Sequence, residues 1–292
     1  MKIATLVFSS AAFLGTCAAN PEFVTSDPNG GWSEDGYYVH NNMWNSRKYH
    51  PCTSTLYASS HANWHVVTRM NNKTGDGAVK TYPNVHRDYR SVAIESFDSL
   101  TSTFAETSPH VGIYNVAYDI WINGIAKPGC TEIMVWNENF KQLPGGRYVQ
   151  DVTFGSQTYK VYKRASSGYI AFVAITNFTS GTVNLLDMMK WTIGKGWLSE
   201  TSTVDQICFG VEMVSTDDVD ARFEVSAFSI DGKLKTKPGG ISNRAGGAMH
   251  SISPRYYQLV ALDPFFGIGI ELDEEYLPTA EVRVGITASG AL

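Results

Sequence analysis

Glu132 in TEIMVW and Glu212 in ICFGVE are lone carboxylates inside otherwise apolar, strand-like runs, and Asp119 interrupts a third such run, YNVAYDIWI. In an extended chain, side chains two apart share a face, so Glu132 lies beside Cys130 and Met134, and Glu212 beside Gly210 and Cys208. Burying an unpartnered carboxylate costs several kcal/mol, which keeps Glu out of such strands unless it is paired or put to use. Taken singly, each glutamate reads as a buried, hydrogen-bonded structural residue, and Asp119 as a strand-end aspartate bonded to backbone amides. Two glutamates in matching contexts suit another use. Facing each other across a groove of one sheet, they form the acid and nucleophile that glycoside hydrolysis requires. An aspartate near Glu132 would share a proton or hydrogen bond with it and drive the two pKa values apart.

The elements that must hold these groups are short runs of Val, Ile, Tyr, Phe, Trp and Thr between clusters of Gly, Asn, Asp, Ser and Pro, which is an all-β pattern. Strands are expected at 64–69, 79–82, 111–122, 131–136, 149–154, 158–162, 170–176, 204–214 and 221–230. Residues 183–191 break the pattern: Leu185, Met188 and Met189 recur at helical spacing after Thr182, read as the N-cap, with Gly194 and Gly196 beyond. Many strands and one short helix imply a two-sheet sandwich or jelly roll, in which one sheet can bend into a ligand groove.

The formal charge of −5 and the absence of a basic stripe exclude nucleic acid as the partner. Lys2, the apolar run from Ile3 to Leu14 and the small residues before Asn20 read as a secretory signal peptide, residues 1–19, ahead of a 20–232 domain. Cys17 offers a lipidation reading, against which Thr16 directly before it speaks. No later run is long and apolar enough for a membrane anchor, so the expectation is an exported protein free of the membrane once the signal is removed. Cys52, Cys130 and Cys208 then allow at most one disulfide. After Asp231 the texture turns Lys-, Gly- and Pro-rich, and residues 233–292 read as an extension without recognisable chemistry.

Seven tryptophans (Trp32, Trp44, Trp64, Trp121, Trp136, Trp191 and Trp197) and 15 tyrosines supply flat faces on which sugar rings stack, and HNNMWN (40–45) adds amides that read hydroxyls. Ordinary core packing is the competing reading for any one of them. His61 with His65, and His40 with His50, lack a third ligand. HExxH, GxSxG and Walker-type motifs are absent, so neither a metal nor another cofactor is expected.

On these residues the chain resembles glycoside hydrolase family 12, a family of endoglucanases and xyloglucanases. TEIMVW resembles its nucleophile strand, FGVE its acid/base strand, HNNMWN its early Asn-Asn-Leu-Trp motif, VKTYPN the segment before the next strand and YDIWI the strand with a supporting aspartate. Residues 183–191 fall where that family has its one helix. The resemblance covers about residues 37–231. It implies a β-jelly roll sandwich of two antiparallel sheets with a concave substrate cleft, acting as a monomer on cellulose, mixed-linkage glucan or xyloglucan. Internal β-1,4-glucosidic bonds would be cleaved with retention and without a cofactor. It also implies Glu132 as nucleophile, Glu212 as acid/base, Asp119 as hydrogen-bonded partner of the nucleophile, Asn42 and Trp44 as substrate contacts on the non-reducing side, and Met134 and Trp136 as cleft residues. Pro144 matches the proline of the family's Pro-Ile-Gly, although the loop before it, NENFKQL, departs from the usual Gly-rich stretch, and Cys52 has no evident partner for the family's N-terminal disulfide. A catalytically silent carbohydrate-binding sandwich, and a xylanase or mixed-linkage glucanase of a related jelly-roll family, are the alternatives. The ExDxxE pattern of laminarinase-like enzymes is absent.

Overall fold

The computed structural model describes residues 21–165 and 167–236; the segment read as a signal peptide, and the extension beyond residue 236, lie outside the described residues. In chain order the strands are β1 Phe23–Thr25, β2 Gly31–Glu34, β3 Tyr37–His40, β4 Cys52–Ser60, β5 Asn63–Met70, β6 Asn84–Ala93, β7 Phe97–Thr107, β8 Ile113–Ile122, β9 Thr131–Phe140, β10 Arg147–Phe154, β11 Gln157–Lys163, β12 Gly168–Ala174 and β13 Ser180–Asn184. The helix α1 Leu185–Gly194 follows, then β14 Thr203–Ser215 and β15 Ala221–Leu234. Six strands form one sheet in the order β1-β4-β5-β15-β7-β13, and nine form the other, β10-β11-β12-β9-β8-β14-β6-β3-β2. Pairing is antiparallel throughout except between β9 and β12, which run parallel.

The core lies between the sheets because alternate residues of each strand are apolar on the inner face. Tyr118 and Phe209 from the large sheet meet Phe104 and Phe228 from the small one in a ring cluster, with Phe209 stacked on Phe228 at 5.5 Å. Each such buried side chain is worth about 1.5–3 kcal/mol of transfer free energy. The large sheet is also apolar on its outer face, where Ala117, Met134, Trp136, Tyr169, Ala171 and Val173 form a second buried cluster. A sheet face turned fully to water would alternate with polar residues. Here β8 is buried along nearly its whole length, so the outer face is recessed into a groove.

Two sequence expectations need correction. The helix starts at Leu185 and its N-cap is Asn184, whose side chain accepts from Asp187 N at 3.2 Å; Thr182 instead pairs with Thr103 within β13. Residues 79–82 are no strand. They carry a single bridge, Thr81 to Met213, and the ladder stops because Pro83 has no N–H to donate. Among the described residues, Cys52, Cys130 and Cys208 are all free thiols.

Candidate active site

Glu132, Met134 and Trp136 project from β9 onto the recessed face, while Ile133 and Val135 enter the core. On either side of Glu132 in the ladder stand Trp121 of β8 and Tyr169 of β12. Asp119 lies on β8 opposite Met134 and Cys208, and Glu212 on β14 opposite Asn115. The two glutamates therefore stand near opposite ends of β8, one on each flanking strand. Between them the rows carry the small residues Ala117, Gly210 and Cys208, all buried beneath neighbouring groups such as Tyr82, whose hydroxyl donates to Ala117 O at 3.1 Å. Glycine is required at 210: a Cβ there would come within 2.0 Å of Pro83 O. Its absence lets residues 81–83 dock on β14 through Val211 N to Pro83 O and Met213 N to Thr81 O, both 3.0 Å.

β9 also shows how the fold limits this face. A bulge opposite Val116 and Ala117 inserts Asn137 and reverses the alternation, so Glu138 points inward although it is six residues on from Glu132. Its carboxylate accepts from Ser108 Oγ at 2.8 Å and Tyr114 OH at 2.9 Å, and it meets His110 Nε2 at 3.0 Å. Glu132, Asp119 and Glu212 remain on the outer face.

Those three act on one another. Asp119 is 6% exposed, and burial, then the charges of Glu132 and Glu212, hold its carboxyl well above the usual range. It is thus a neutral acid that donates a hydrogen bond to Glu132. Its Oδ1 has no hydrogen-bond partner, a tolerable state for a neutral carboxyl and a costly one for a buried carboxylate. Burial and then Glu212 push Glu132 up to about 8, while Arg164 and the Asp119 hydrogen bond pull it down. The Glu212 contribution exists only while Glu212 is ionised. The titration of Glu132 is thus tied to Glu212, whose negative charge raises it, while Arg164 and Asp119 favour its charged form. Glu212 is fixed by Asn115, 0% exposed, whose Nδ2 donates to Glu212 Oε2 at 2.7 Å. Tyr82 and Tyr169 lie in the same cluster: burial raises both hydroxyls well above the ordinary tyrosine value, and both feel Glu132 and Glu212.

The sequence profile of glycosyl hydrolase family 12 matches residues 35–232. The chain belongs to that family. A xyloglucan-specific endo-β-1,4-glucanase A of Emericella nidulans is 26% identical over 248 residues, spanning 79% of this chain and 99% of its own. Endoglucanase S of Pectobacterium parmentieri is 24% identical over 225 residues, 68% of this chain and 82% of that one. Among solved structures, the native family 12 xyloglucanase of Bacillus licheniformis superposes with a TM-score of 0.63 at 23% identity, covering 72% of this chain and 100% of that one. Family 12 membership makes the protein a glycoside hydrolase and sets aside the silent binding sandwich.

In this family 12 hydrolase the remaining sequence candidates occupy distinct places. Met134 and Trp136 are each 2% exposed, and Trp136 Nε1 donates to Met134 Sδ at 3.4 Å, so they build the groove floor and offer little open face for stacking. Asn42 and Trp44 are half-buried on the loop after β3. Asn42 O accepts from Tyr82 N at 2.9 Å, and Asn45 N donates to Lys80 O at 3.2 Å, which seats that loop beside the Glu212 strand. Pro144 is half-buried in the β9–β10 connection, next to Gly145, whose backbone hydrogen-bonds the Tyr169 hydroxyl. His61 pairs with Glu34 at 2.9 Å and His65 stacks on Tyr57, so the two do not converge. His40 and His86 do approach, with ring centroids 6.2 Å apart on the groove-side face of β3 and β6. Burial lowers both, His40 to about 3 and His86 to about 4, so they are neutral imidazoles at working pH. Sequence reading overlooked Asn115, Tyr82, Tyr169 and Arg164. Asn115 carried the same signal as Asp119, a polar residue on the same face of the same apolar strand.

Proposed function

We propose that the protein is a retaining endo-β-1,4-glucanase that hydrolyses internal glucosidic bonds of cellulose, mixed-linkage glucan or xyloglucan. What supports this reading is the joint placement of Glu132, Asp119 and Glu212 on one face of the large sheet, with Asp119 hydrogen-bonded to Glu132 and Asn115 holding Glu212. Glu132, ionised and accepting from neutral Asp119, attacks the anomeric carbon. The glycosidic C–O bond breaks as Glu212, held by Asn115, gives its proton to the leaving oxygen. Water then enters, Glu212 takes its proton, and the hydroxyl displaces Glu132 from the sugar, restoring the β-anomer. The names of the Emericella and Pectobacterium relatives, both endoglucanases, agree with an internal bond of a glucan backbone as the target.

The N-terminal segment adds the proposal that the enzyme is exported and meets its polymer outside the cell as a monomer. Reducing-sugar release from cellulose, mixed-linkage glucan and xyloglucan by wild type and Glu132→Gln tests this reading. Activity on at least one polymer that disappears in the variant is expected; equal activity in the variant removes Glu132 from the mechanism.

A further inference from the structure

The groove contains a cation that the two-carboxylate mechanism leaves without a role. Arg164 lies in the connection between β11 and β12. Its backbone N donates to Tyr169 O at 3.1 Å, and its guanidinium carbon sits 5.3 Å from the centroid of the Tyr169 ring. Tyr169 is the direct ladder partner of Glu132, and side chains directly opposite on one face have Cβ atoms about 4.5–5.5 Å apart. A guanidinium over that ring is thereby carried toward the Glu132 carboxylate. The opposite wall is shaped to admit it: a Cβ on Gly145 would come within 2.6 Å of Arg164 Nη2 and 3.3 Å of Tyr169 Cε1, so the bare glycine backbone allows the guanidinium to lie between that loop and the ring.

We infer that Arg164 is the positioning residue for Glu132, held on the Tyr169 ring and against Gly145 so that its fixed positive charge stands beside the attacking carboxylate and favours its charged form. The inference rests on the reading of Glu132 as nucleophile. The groups that face Glu132 are otherwise acids or neutral: Asp119 from β8, Glu212 and Cys208 from β14, Tyr169 from β12, Tyr82 from the segment before β6, and Cys130 just ahead of β9. Among them Arg164 supplies the opposing charge that acts on Glu132, and its pull on that carboxyl is downward. Arginine suits the place because it is always charged and its plane stacks on an aromatic face.

The test is the pH profile of kcat/KM on a soluble glucan for wild type, Arg164→Met, Arg164→Lys and Glu132→Gln, with thermal melts to show that each is folded. The acidic limb reports ionisation of the nucleophile in the free enzyme. Loss of a cation at this range raises a carboxyl by about one unit or more, so Arg164→Met moves that limb up by about one pH unit, and Arg164→Lys brings it most of the way back. A folded Arg164→Met whose activity falls equally at every pH, with the limb unmoved, overturns the assignment and leaves Arg164 a packing residue. If Glu132→Gln is inactive in that same series, the nucleophile reading survives the failure. If Glu132→Gln keeps wild-type activity, both fall together.

Discussion

Asp119 is buried, hydrogen-bonded to Glu132 and left with one unpartnered oxygen, a set of conditions that only a protonated carboxyl satisfies at low cost. Asparagine reproduces the size of a neutral aspartic acid and keeps an N–H donor for Glu132, whereas alanine removes the donor and leaves a void. A hydrogen bond to a charged group is worth about 1.5–3 kcal/mol, and about 1.4 kcal/mol is a factor of ten in rate. Asp119→Ala should therefore lose roughly 10- to 150-fold in kcat/KM on a soluble glucan, while Asp119→Asn stays within about threefold of wild type. The hydrogen bond also lowers the Glu132 carboxyl, so in Asp119→Ala the acidic limb of the pH profile moves upward, and in Asp119→Asn it stays near its place. The assay is initial-rate reducing-sugar release across pH, with melting temperatures to confirm folding. If Asp119→Asn is as impaired as Asp119→Ala, the negative charge of Asp119 is what matters and the neutral-donor argument is wrong.

Two further changes probe other parts of the account. Asn115→Ala frees the Glu212 carboxyl from its 2.7 Å tether. We expect roughly 10- to 100-fold lower kcat on polymer but a much smaller loss on a substrate with a dinitrophenolate leaving group, which needs no acid; equal losses on both would remove Asn115 from proton delivery. Away from the groove, burial and the Glu138 hydrogen bond and charge push Glu106 up to about 9 from 4.5. The folded state therefore holds a proton that the unfolded chain releases, and stability present below pH 4.5 declines as pH rises toward 9. Glu106→Gln, which keeps a donor for Glu138, should be more stable than wild type by up to about 5 kcal/mol at pH 8, roughly 3.5 pH units above 4.5 at about 1.4 kcal/mol each, and nearly equal at pH 4. Parallel melting curves against pH for the two proteins would count against it.

The strand alternation in TEIMVW, ICFGVE and YNVAYDIWI was enough to put Glu132, Glu212 and Asp119 on one face, because each strand has a single register in which its apolar residues are covered. Asn115 was legible by the same rule, two steps of the alternation before Asp119. Tyr169 and Arg164 were not, since they reach Glu132 through the parallel pairing of β12 with β9, a contact set by the whole sheet. Glu138 shows the opposite failure: alternation assigns it to the groove, and the bulge at Asn137 turns it into the core. Strand β7 was hidden because Ser102 and Glu106 point inward among its apolar positions, which blurs the hydrophobic period that marks a strand. The helix start moved because Asn184 and Asp187 bond reciprocally, a stronger cap than a threonine already committed to a strand.

The central claim is that Glu132 forms a covalent bond to the sugar while Glu212 carries the proton. Incubation with a 2-deoxy-2-fluoro cellobioside bearing a good leaving group, followed by intact mass and peptide mapping, tests it directly, because the fluorine slows breakdown of a glycosyl-enzyme. We expect a single added fluorocellobiosyl unit on the peptide containing Glu132, and none in Glu132→Gln. A label on the Glu212 peptide, or turnover to the α-anomer without any adduct, would contradict it.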